Sequence, residues 1–188
     1  HRYSSAASDV YKRQLPERVV TNHELAKSLD TSDEWIVART GIHRRHIGGS
    51  TASLSLESAQ QALDMAGVSP GDIDALILST TTPDRAWGTS AIIQDKLGLK
   101  CGAFDLNAAC SGFVYGLVNA HGLVAIGAER VLVVGTDTLS RIVDWNDRGT
   151  APLFADGSGA MVLEAVDSGG GQLLGLSLIH ISEPTRHL

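Results

Sequence analysis

Cys110 is the residue best placed for nucleophilic chemistry in this sequence. It follows a short apolar strand pattern at residues 103–106 and a turn of small residues at 107–109, and it opens a long uncharged run with helical spacing. The first N–H groups of a helix carry partial positive charge, which favours a thiolate over a thiol. The position therefore predicts a reactive cysteine. The alternative is a small core residue, because free cysteines are among the most buried side chains.

A second candidate site combines an aromatic ring with positive charge. Trp35 and Arg39 lie one helical turn apart, so an indole plane and a guanidinium share one helix face. Four more basic residues follow in a loop: His43, Arg44, Arg45 and His46. The pair of Trp35 and Arg39 suits an adenine ring and its phosphates. The alternative is a solvated charged face, the usual role of a run of charges.

The glycine clusters do not match a nucleotide-binding loop. Neither GxGxxG after a first strand nor GxxxxGK[ST] occurs in the chain. The segment 157–159, Gly-Ser-Gly, leads into a predicted strand, whereas a dinucleotide fingerprint opens a helix. We therefore expect these glycines to serve close packing.

Composition indicates one globular domain. The 188 residues are 43% hydrophobic, which is enough for one core, and the net charge of -6 argues against a nucleic-acid surface. Two cysteines, Cys101 and Cys110, are too few for a disulfide framework, so a reducing, cytoplasmic setting is expected. The uncharged run 106–128 is as long as a membrane span, but its polar residues and glycines favour a helix buried between layers.

Strand and helix patterns alternate along the chain. Apolar runs predict buried strands at 75–78, 103–106, 130–134 and 160–165, separated by helix patterns at 53–66, at 90–97 and from Cys110 onward. This alternation predicts an α/β fold with a parallel core.

Helix ends are also predicted near the aromatic and basic site. In the segment TSDEW, Thr31 is the expected N-cap with Glu34 reaching back to it, and Gly41 is the expected end of that helix. Polar loops at 80–88 and 144–152 follow predicted strands, where α/β sheets place their sites.

The two ends of the chain differ from the rest. Residues 4–14 and 176–186 resemble in-frame translations of the adaptors used to prepare sequencing libraries, so residues 1–14 and 176–188 are expected to be non-native. The native segment is then 15–175. A signal sequence at the start is the alternative, but Asp9, Lys12 and Arg13 interrupt any apolar stretch.

Four motifs occur in an order that resembles one enzyme family. They are TSDEWIVARTGIHRRHI at 31–47, AFDLNAACSGFVYGL at 103–117, LVVGTDTLSRIVDWNDRGT at 132–150 and LFADGSGAMVL at 153–163. Together they resemble the amino-terminal half of β-ketoacyl-acyl-carrier-protein synthase III, a thiolase-fold condensing enzyme. The resemblance covers essentially all of 15–175. It implies the first repeat of a thiolase-like fold without its opening strand, with a mostly parallel sheet in layers and a buried central helix.

The resemblance also assigns roles to individual residues. Cys110 corresponds to the nucleophile that takes an acyl group from coenzyme A as a thioester. Trp35 corresponds to the residue that stacks on the adenine of coenzyme A, with Arg39 and Arg148 contacting its phosphate-bearing end.

Two further aromatic residues match family positions. Trp87 falls on the loop that crosses the dimer and closes the partner's acyl pocket, and Phe154 matches an aromatic residue beside the cysteine. The histidine and asparagine that complete condensation belong to the family's carboxyl-terminal half. None of His23, His43, His46 and His121 takes their place.

The implied activity is the condensation that starts fatty-acid synthesis. Acyl-CoA and malonyl-acyl-carrier protein are the implied substrates, the full-length enzyme is implied to be a homodimer, and no cofactor, metal, nucleic acid or membrane is expected. A hydroxymethylglutaryl-CoA synthase or a secondary-metabolite condensing enzyme is an alternative, as is a non-catalytic partner subunit of the same fold. Cys110 argues against the last, because a scaffold does not need a thiol there.

Overall fold

A computed structural model describes residues 3–6 and 12–166, with side chains over residues 14–165. The strands are β1 Tyr3–Ala6, β2 Lys12–Gln14, β3 Val19–Thr21, β4 Arg44–His46, β5 Ala75–Ser79, β6 Gly102–Leu106, β7 Arg130–Thr138 and β8 Asp156–Val166. The α-helices are α1 Asn22–Leu25, α2 Asp33–Thr40, α3 Thr51–Ala66, α4 Ser90–Leu97 and α5 Gly112–Ala125. The four strands and the helices predicted from the sequence at residues 53–165 are confirmed within a few residues.

The main sheet has the order β1-β8-β7-β5-β6, and β2 also pairs with β8. Strands β6 and β7 both run parallel to β5, as the apolar runs predict. Strand β8 instead runs antiparallel to β7, so the expected strict alternation of strands and helices is wrong at this step. The segment between β7 and β8 contains a short 3₁₀ turn and loops but no α-helix, and without a crossover helix the chain returns antiparallel.

Helices cover the sheet on both faces. Alternate residues of β5 and β7 point to opposite sides, so Leu76 and Leu132 pack with α3 and α4, whereas Ile77 and Val133 pack with α5. All four side chains are fully buried. The two apolar layers hold the carboxyl ends of β5, β6 and β7 at one edge of the molecule.

Helix α5 is covered along one face only. Its buried positions recur every four residues, at Gly112, Gly116, Ala120 and Val124, and this stripe lies on the sheet. On the opposite side Tyr115 is 38% exposed. Among the described residues, the central helix of the predicted fold therefore has one layer beneath it.

A third cluster joins the hairpin of β3 and β4 to helix α2. Its buried members are Val20, Leu25, Leu29, Ile36, Ile47 and Ala151. The expected cap of α2 at Thr31 is wrong: Ser32 is the N-cap and accepts from Trp35 N, and the Thr31 hydroxyl has no partner among the described residues. The shift by one residue brings Ile36 wholly into this cluster, so tertiary packing decides the start of the helix. Gly41 ends the helix with φ +70°, as predicted.

The structure describes part of one predicted non-native end and none of the other. Residues 176–188 lie outside the described residues. Within 1–14, β1 and β2 pair antiparallel with β8. The edge of a sheet offers unpaired N–H and C=O groups to any extended segment, so this pairing does not test where those residues come from. The boundaries at 15 and 175 stay predictions.

Candidate active site

Cys110 lies in a 3₁₀ turn, Ala109–Ser111, between the carboxyl end of β6 and the first residue of α5. The cysteine is exposed, so the alternative of a buried core residue is wrong. The preceding Ala109 has φ +48°, a left-handed conformation that costs an L-residue roughly 1–2 kcal/mol. Such conformations persist only where the surroundings hold them, and here the turn lifts the thiol to the surface.

Cys101 differs from Cys110 in its surroundings. It is partly buried against the core, and burial raises the pKa of its thiol above the ordinary value. A raised pKa lowers the thiolate fraction of Cys101 below that of an ordinary exposed cysteine.

Close packing of small residues fixes the start of α5 against the sheet. A Cβ atom added to Gly112 would lie 2.1 Å from Ser79 Oγ, and one added to Gly116 would lie 3.0 Å from Val133 Cγ1. A Cβ on Gly135 of β7 would meet the Phe113 ring at 2.9 Å. These glycines allow the helix backbone to approach the strand ends, which places Cys110 over the carboxyl edge of the sheet.

An open cavity of about 470 Å³ lies at this edge and includes Cys110 in its wall. The remaining lining residues come from the ends of β5, β7 and β8 and from nearby turns: Leu15, Ser79, Ala109, Phe113, Gly135, Thr136, Asp137, Ala155, Gly157, Ser158 and Gly159. Gly157 and Gly159 lie within β8 and line the cavity. A Cβ atom added to Gly157 would lie 3.3 Å from Leu15 Cδ2, so the expected close packing is found at Gly157. The cavity has the location and size of a small-molecule site.

A ring of buried hydroxyls forms one wall of the cavity. Ser55 donates to Thr136 Oγ1 at 2.7 Å, the Thr136 and Ser158 hydroxyls lie 2.6 Å apart, Ser158 lies 2.6 Å from the Ser58 hydroxyl, and Ser58 donates to the Ser55 carbonyl. Each hydroxyl has one proton, so Thr136 must donate to Ser158 and Ser158 to Ser58. The two hydroxyls that line the cavity therefore have no proton left for a ligand.

Asp137 also lines the cavity, and its carboxylate is held by the neighbouring loop. Its Oδ1 accepts from the backbone N–H and the hydroxyl of Thr81, both at 2.7 Å. Among the described cavity-lining residues there is no histidine or asparagine.

The structure brings together three of the predicted binding residues. The guanidinium carbon of Arg39 lies 4.3 Å from the Trp35 ring centroid, and that of Arg148 lies 4.0 Å from it. Arg148 is remote in sequence and belongs to the loop before β8. Both guanidinium groups are exposed, while the indole is half-buried against the third cluster. The arrangement offers an aromatic plane and two positive charges to one ligand.

The two other predicted aromatic residues lie apart from this cluster. Trp87 is 80% exposed on the loop between β5 and α4, with the Arg85 guanidinium 5.9 Å from its ring. Phe154 is half-buried and is not among the residues lining the cavity, although its neighbour Ala155 is.

Sequence reasoning missed the residues that hold these loops in place. Asp105 of β6 accepts from Thr89 N and Ser90 N, both at 2.8 Å, and so caps α4 and ties down the end of the Trp87 loop. Asn22 and Arg45 are buried and form side-chain hydrogen bonds to several segments. No local pattern marks these contacts, because the partners lie 11 to 107 residues away.

The part of the chain that the structure describes shows neither a metal site nor a helix that could span a membrane. No group of three histidine, cysteine, aspartate or glutamate side chains is arranged to hold a metal ion. No helix there is both long enough and apolar enough to span a bilayer.

Comparison with protein families gives a match to the model of 3-oxoacyl-[acyl-carrier-protein] synthase III over residues 104–180. Among curated proteins, the chain is 51% identical over 167 residues to beta-ketoacyl-[acyl-carrier-protein] synthase III 1 of Bacillus anthracis. That match covers 86% of this chain and 54% of the relative. The chain spans about half the length of the curated relatives it matches.

Solved structures give the same family and the thiolase-like fold. The 3-oxoacyl-[acyl-carrier-protein] synthase III of Aquifex aeolicus superposes with a TM-score of 0.83 at 40% identity, covering 89% of this chain and 55% of that one. A priming β-ketosynthase from the R1128 polyketide biosynthetic pathway superposes with a TM-score of 0.84 at 35% identity, covering 89% of this chain and 51% of that one. The predicted fold class is confirmed.

Proposed function

Because the chain belongs to the 3-oxoacyl-[acyl-carrier-protein] synthase III family, we propose that it forms the half of a condensing enzyme that accepts an acyl group from acyl-CoA. The observation that carries the proposal is the exposed Cys110 in the wall of a cavity, one turn before helix α5. Exposure in the cavity wall makes the sulfur accessible to a bound thioester, and cysteine is a common nucleophile of acyl transfer.

The proposed first step is a thioester exchange. The Cys110 sulfur attacks the carbonyl carbon of acyl-CoA, a new carbon–sulfur bond forms, and the bond to the coenzyme A sulfur breaks. Coenzyme A leaves as its thiol, with the proton that Cys110 gave up. The cavity of about 470 Å³ offers room for a short acyl group beside the sulfur.

The cluster of Trp35, Arg39 and Arg148 is the proposed site for the nucleotide end of coenzyme A. An adenine ring stacks on the indole, and the two guanidinium groups neutralise phosphates, which Arg binds well because its donors form a planar fork. The thioester end then extends toward the cavity. No cofactor enters this scheme, because coenzyme A is part of the substrate.

Condensation is proposed for the whole protein. A carbanion from decarboxylating malonyl-acyl-carrier protein displaces the acyl group from Cys110, and this step needs donors that stabilise the developing enolate. The resemblance assigns those donors to a histidine and an asparagine of the carboxyl-terminal half. We therefore expect this chain to be acylated without condensing the acyl group. The whole enzyme is proposed to act as a cytoplasmic homodimer, with Trp87 crossing to the partner's acyl pocket and Phe154 beside the cysteine.

Intact-protein mass spectrometry after incubation with acetyl-CoA tests the proposal. We expect the mass of one acetyl group to be added to the wild-type chain and peptide mapping to find it on Cys110. Cys101→Ser is the matched control and should be labelled like the wild type. Equal labelling of Cys110→Ser would show that the nucleophile is assigned to the wrong residue.

A second candidate is a condensing enzyme of secondary metabolism. The R1128 priming β-ketosynthase superposes with a TM-score of 0.84, the same value as one solved 3-oxoacyl-(acyl-carrier-protein) synthase III, so the fold suits both candidates. Sequence identity favours the first candidate, since it is 51% to the Bacillus anthracis protein against 35% to the polyketide enzyme. Competition between acetyl-CoA and bulkier acyl-CoA thioesters for Cys110 distinguishes the two.

A further inference from the structure

Arg45 is a buried cation that binds three segments of the chain. It is 2% exposed, and its Nη2 donates to Asn22 Oδ1 at 2.8 Å and to the Pro152 carbonyl at 3.0 Å. Its Nε also donates to the Pro152 carbonyl, and its Nη1 donates to the carbonyl of Val20. None of these acceptors is a carboxylate. Burying a cation is costly unless its donors are satisfied, so this geometry is strongly constrained.

Asn22 extends the same network to both ends of helix α2. It is fully buried, and its Nδ2 donates to Asp33 Oδ1 at 2.8 Å and to the Ile42 carbonyl at 2.7 Å. Asp33 is the first residue of α2, and Ile42 follows its C-cap, Gly41. The amide of Asn22 therefore holds the helix that carries Trp35 and Arg39.

The two side chains together form a bridge between the partners of the stacked cluster. Arg45 holds Pro152, four residues after Arg148, and Asn22 holds the helix that presents Trp35. We propose that the Asn22–Arg45 pair is a positioning device that sets the backbone spacing between Trp35 and Arg148 for the adenine of coenzyme A. The inference rests on the proposed function of that cluster and assigns to Asn22 and Arg45 no contact with the ligand.

The spacing matters because Arg148 occupies a face of the Trp35 ring. Its guanidinium carbon lies 4.0 Å from the ring centroid, and an adenine stacked on that face would need the same separation of about 3.5–4.0 Å. The exposed Arg148 side chain must swing outward by roughly the thickness of one ring. If the backbone of its loop also moved, the guanidinium would be carried away from the phosphates of a nucleotide stacked on Trp35. A fixed bridge confines the motion to the side chain, and such preorganisation lowers the ordering cost of binding.

The inference can be tested on the full chain with two ligands, one that is the nucleotide part of coenzyme A and one that lacks it. The variants are Arg45→Lys, which keeps the charge but loses the planar fork, and Asn22→Asp, which keeps the acceptor for Arg45 but faces Asp33 with a second carboxylate. Both variants should weaken the binding of adenosine 3′,5′-bisphosphate, measured by calorimetry, by about tenfold. Acylation of Cys110 by S-acetyl-pantetheine, which lacks the nucleotide, should stay within about twofold of wild type.

Matched variants separate the possible outcomes. Arg44→Lys, at the exposed neighbouring position of β4, should leave both measurements unchanged, and Trp35→Ala should lose nucleotide binding. If Trp35→Ala loses binding while Arg45→Lys and Asn22→Asp retain it, the bridge has no positioning role and the proposed function stands. Equal loss of nucleotide binding and of acylation by S-acetyl-pantetheine would reveal a general structural role and overturn the inference. Failure of the wild-type chain to bind the nucleotide would overturn the coenzyme A cluster, and the bridge with it.

Discussion

At the scale of single residues, the position of the thiol depends on small neighbours rather than on charged ones. Ala109 accepts a left-handed backbone, and Gly112 lets the first turn of α5 lie against Ser79. Ser79 also lines the cavity, but it is not a member of the hydroxyl ring. The other two hydroxyls of the cavity wall, those of Thr136 and Ser158, donate their protons within the ring, so the exposed sulfur of Cys110 has few hydroxyl donors around it.

Gly112→Ala should be strongly unfavourable, because the added Cβ would lie 2.1 Å from Ser79 Oγ. Either the helix start or the strand end must shift, and such overpacking typically costs about 1–3 kcal/mol. We expect a lower urea midpoint than wild type and slower acylation of Cys110, since the turn that carries the thiol would move with the helix.

The companion variant Ser79→Ala identifies the cause. It removes the clashing oxygen, and the Ser79 Cβ lies 3.4 Å from the added atom, which is ordinary contact. Ser79→Ala/Gly112→Ala should therefore regain most of the lost stability, giving a coupling energy of about 1–2 kcal/mol in a double-mutant cycle. Simple additivity of the two changes would contradict this account of Gly112.

At the scale of elements, the strands were the most predictable part of the fold. Every residue of β5 is buried, and residues 75–78 form an apolar run that is the length of a strand and too short for an ordinary helix. The antiparallel return of β8 was not predictable in the same way, because an apolar run carries no information about strand direction. Its direction follows from the missing crossover helix, which is a property of the loop.

The candidate site likewise contains residues that the sequence could identify and residues that it could not. Cys110, Trp35 and Arg39 could be identified from local spacing, and Arg148 only from the resemblance. The Asn22–Arg45 bridge could not be identified, because Arg45 reaches Pro152 across 107 residues and its sequence neighbours suggest a solvated basic loop. Contacts of this kind depend on the assembled fold and leave no periodicity in the sequence.

The turn that carries Arg148 should loosen in acid. Hydrogen bonds from the Thr150 hydroxyl and from Gly149 N lower the pKa of Asp147 below its ordinary value. Because the folded-state pKa is depressed, the stabilisation is present above the unfolded pKa of about 3.9 and is lost as the pH falls through the folded value. Nuclear magnetic resonance titration should show the Gly149 amide shifting only below about pH 3.9.

Asp147→Asn is the matched variant for this turn. It keeps the shape of the side chain but removes the charge, so the acid transition of the Gly149 amide should disappear. Exchange of that amide with solvent should already be faster at neutral pH in the variant. An unchanged titration in Asp147→Asn would mean that another group controls the turn.

At the scale of the whole molecule, the described residues leave surfaces open that an ordinary domain covers. Helix α5 has apolar side chains on its free side, β6 is an edge strand with Phe104 41% exposed, and Ile126 at the end of α5 is 83% exposed. Unpaired strand edges and large apolar patches both promote association. The half-covered central helix agrees with a chain that spans about half the length of its relatives.

We therefore expect this chain to associate through the free side of α5, and sedimentation velocity should detect dimers or larger species at micromolar concentration. Tyr115→Lys places a charge on that side in the first turn of α5 and should shift the distribution toward monomer, because the charge would have to be buried on association. Ile142→Lys is the matched control, since Ile142 is 68% exposed but lies in the loop after β7, and its distribution should stay like that of wild type. A monodisperse wild-type monomer with two-state unfolding would show that the described sheet and helices are sufficient as one domain. Equal effects of the two lysine variants would instead indicate nonspecific apolar association, with no particular role for α5.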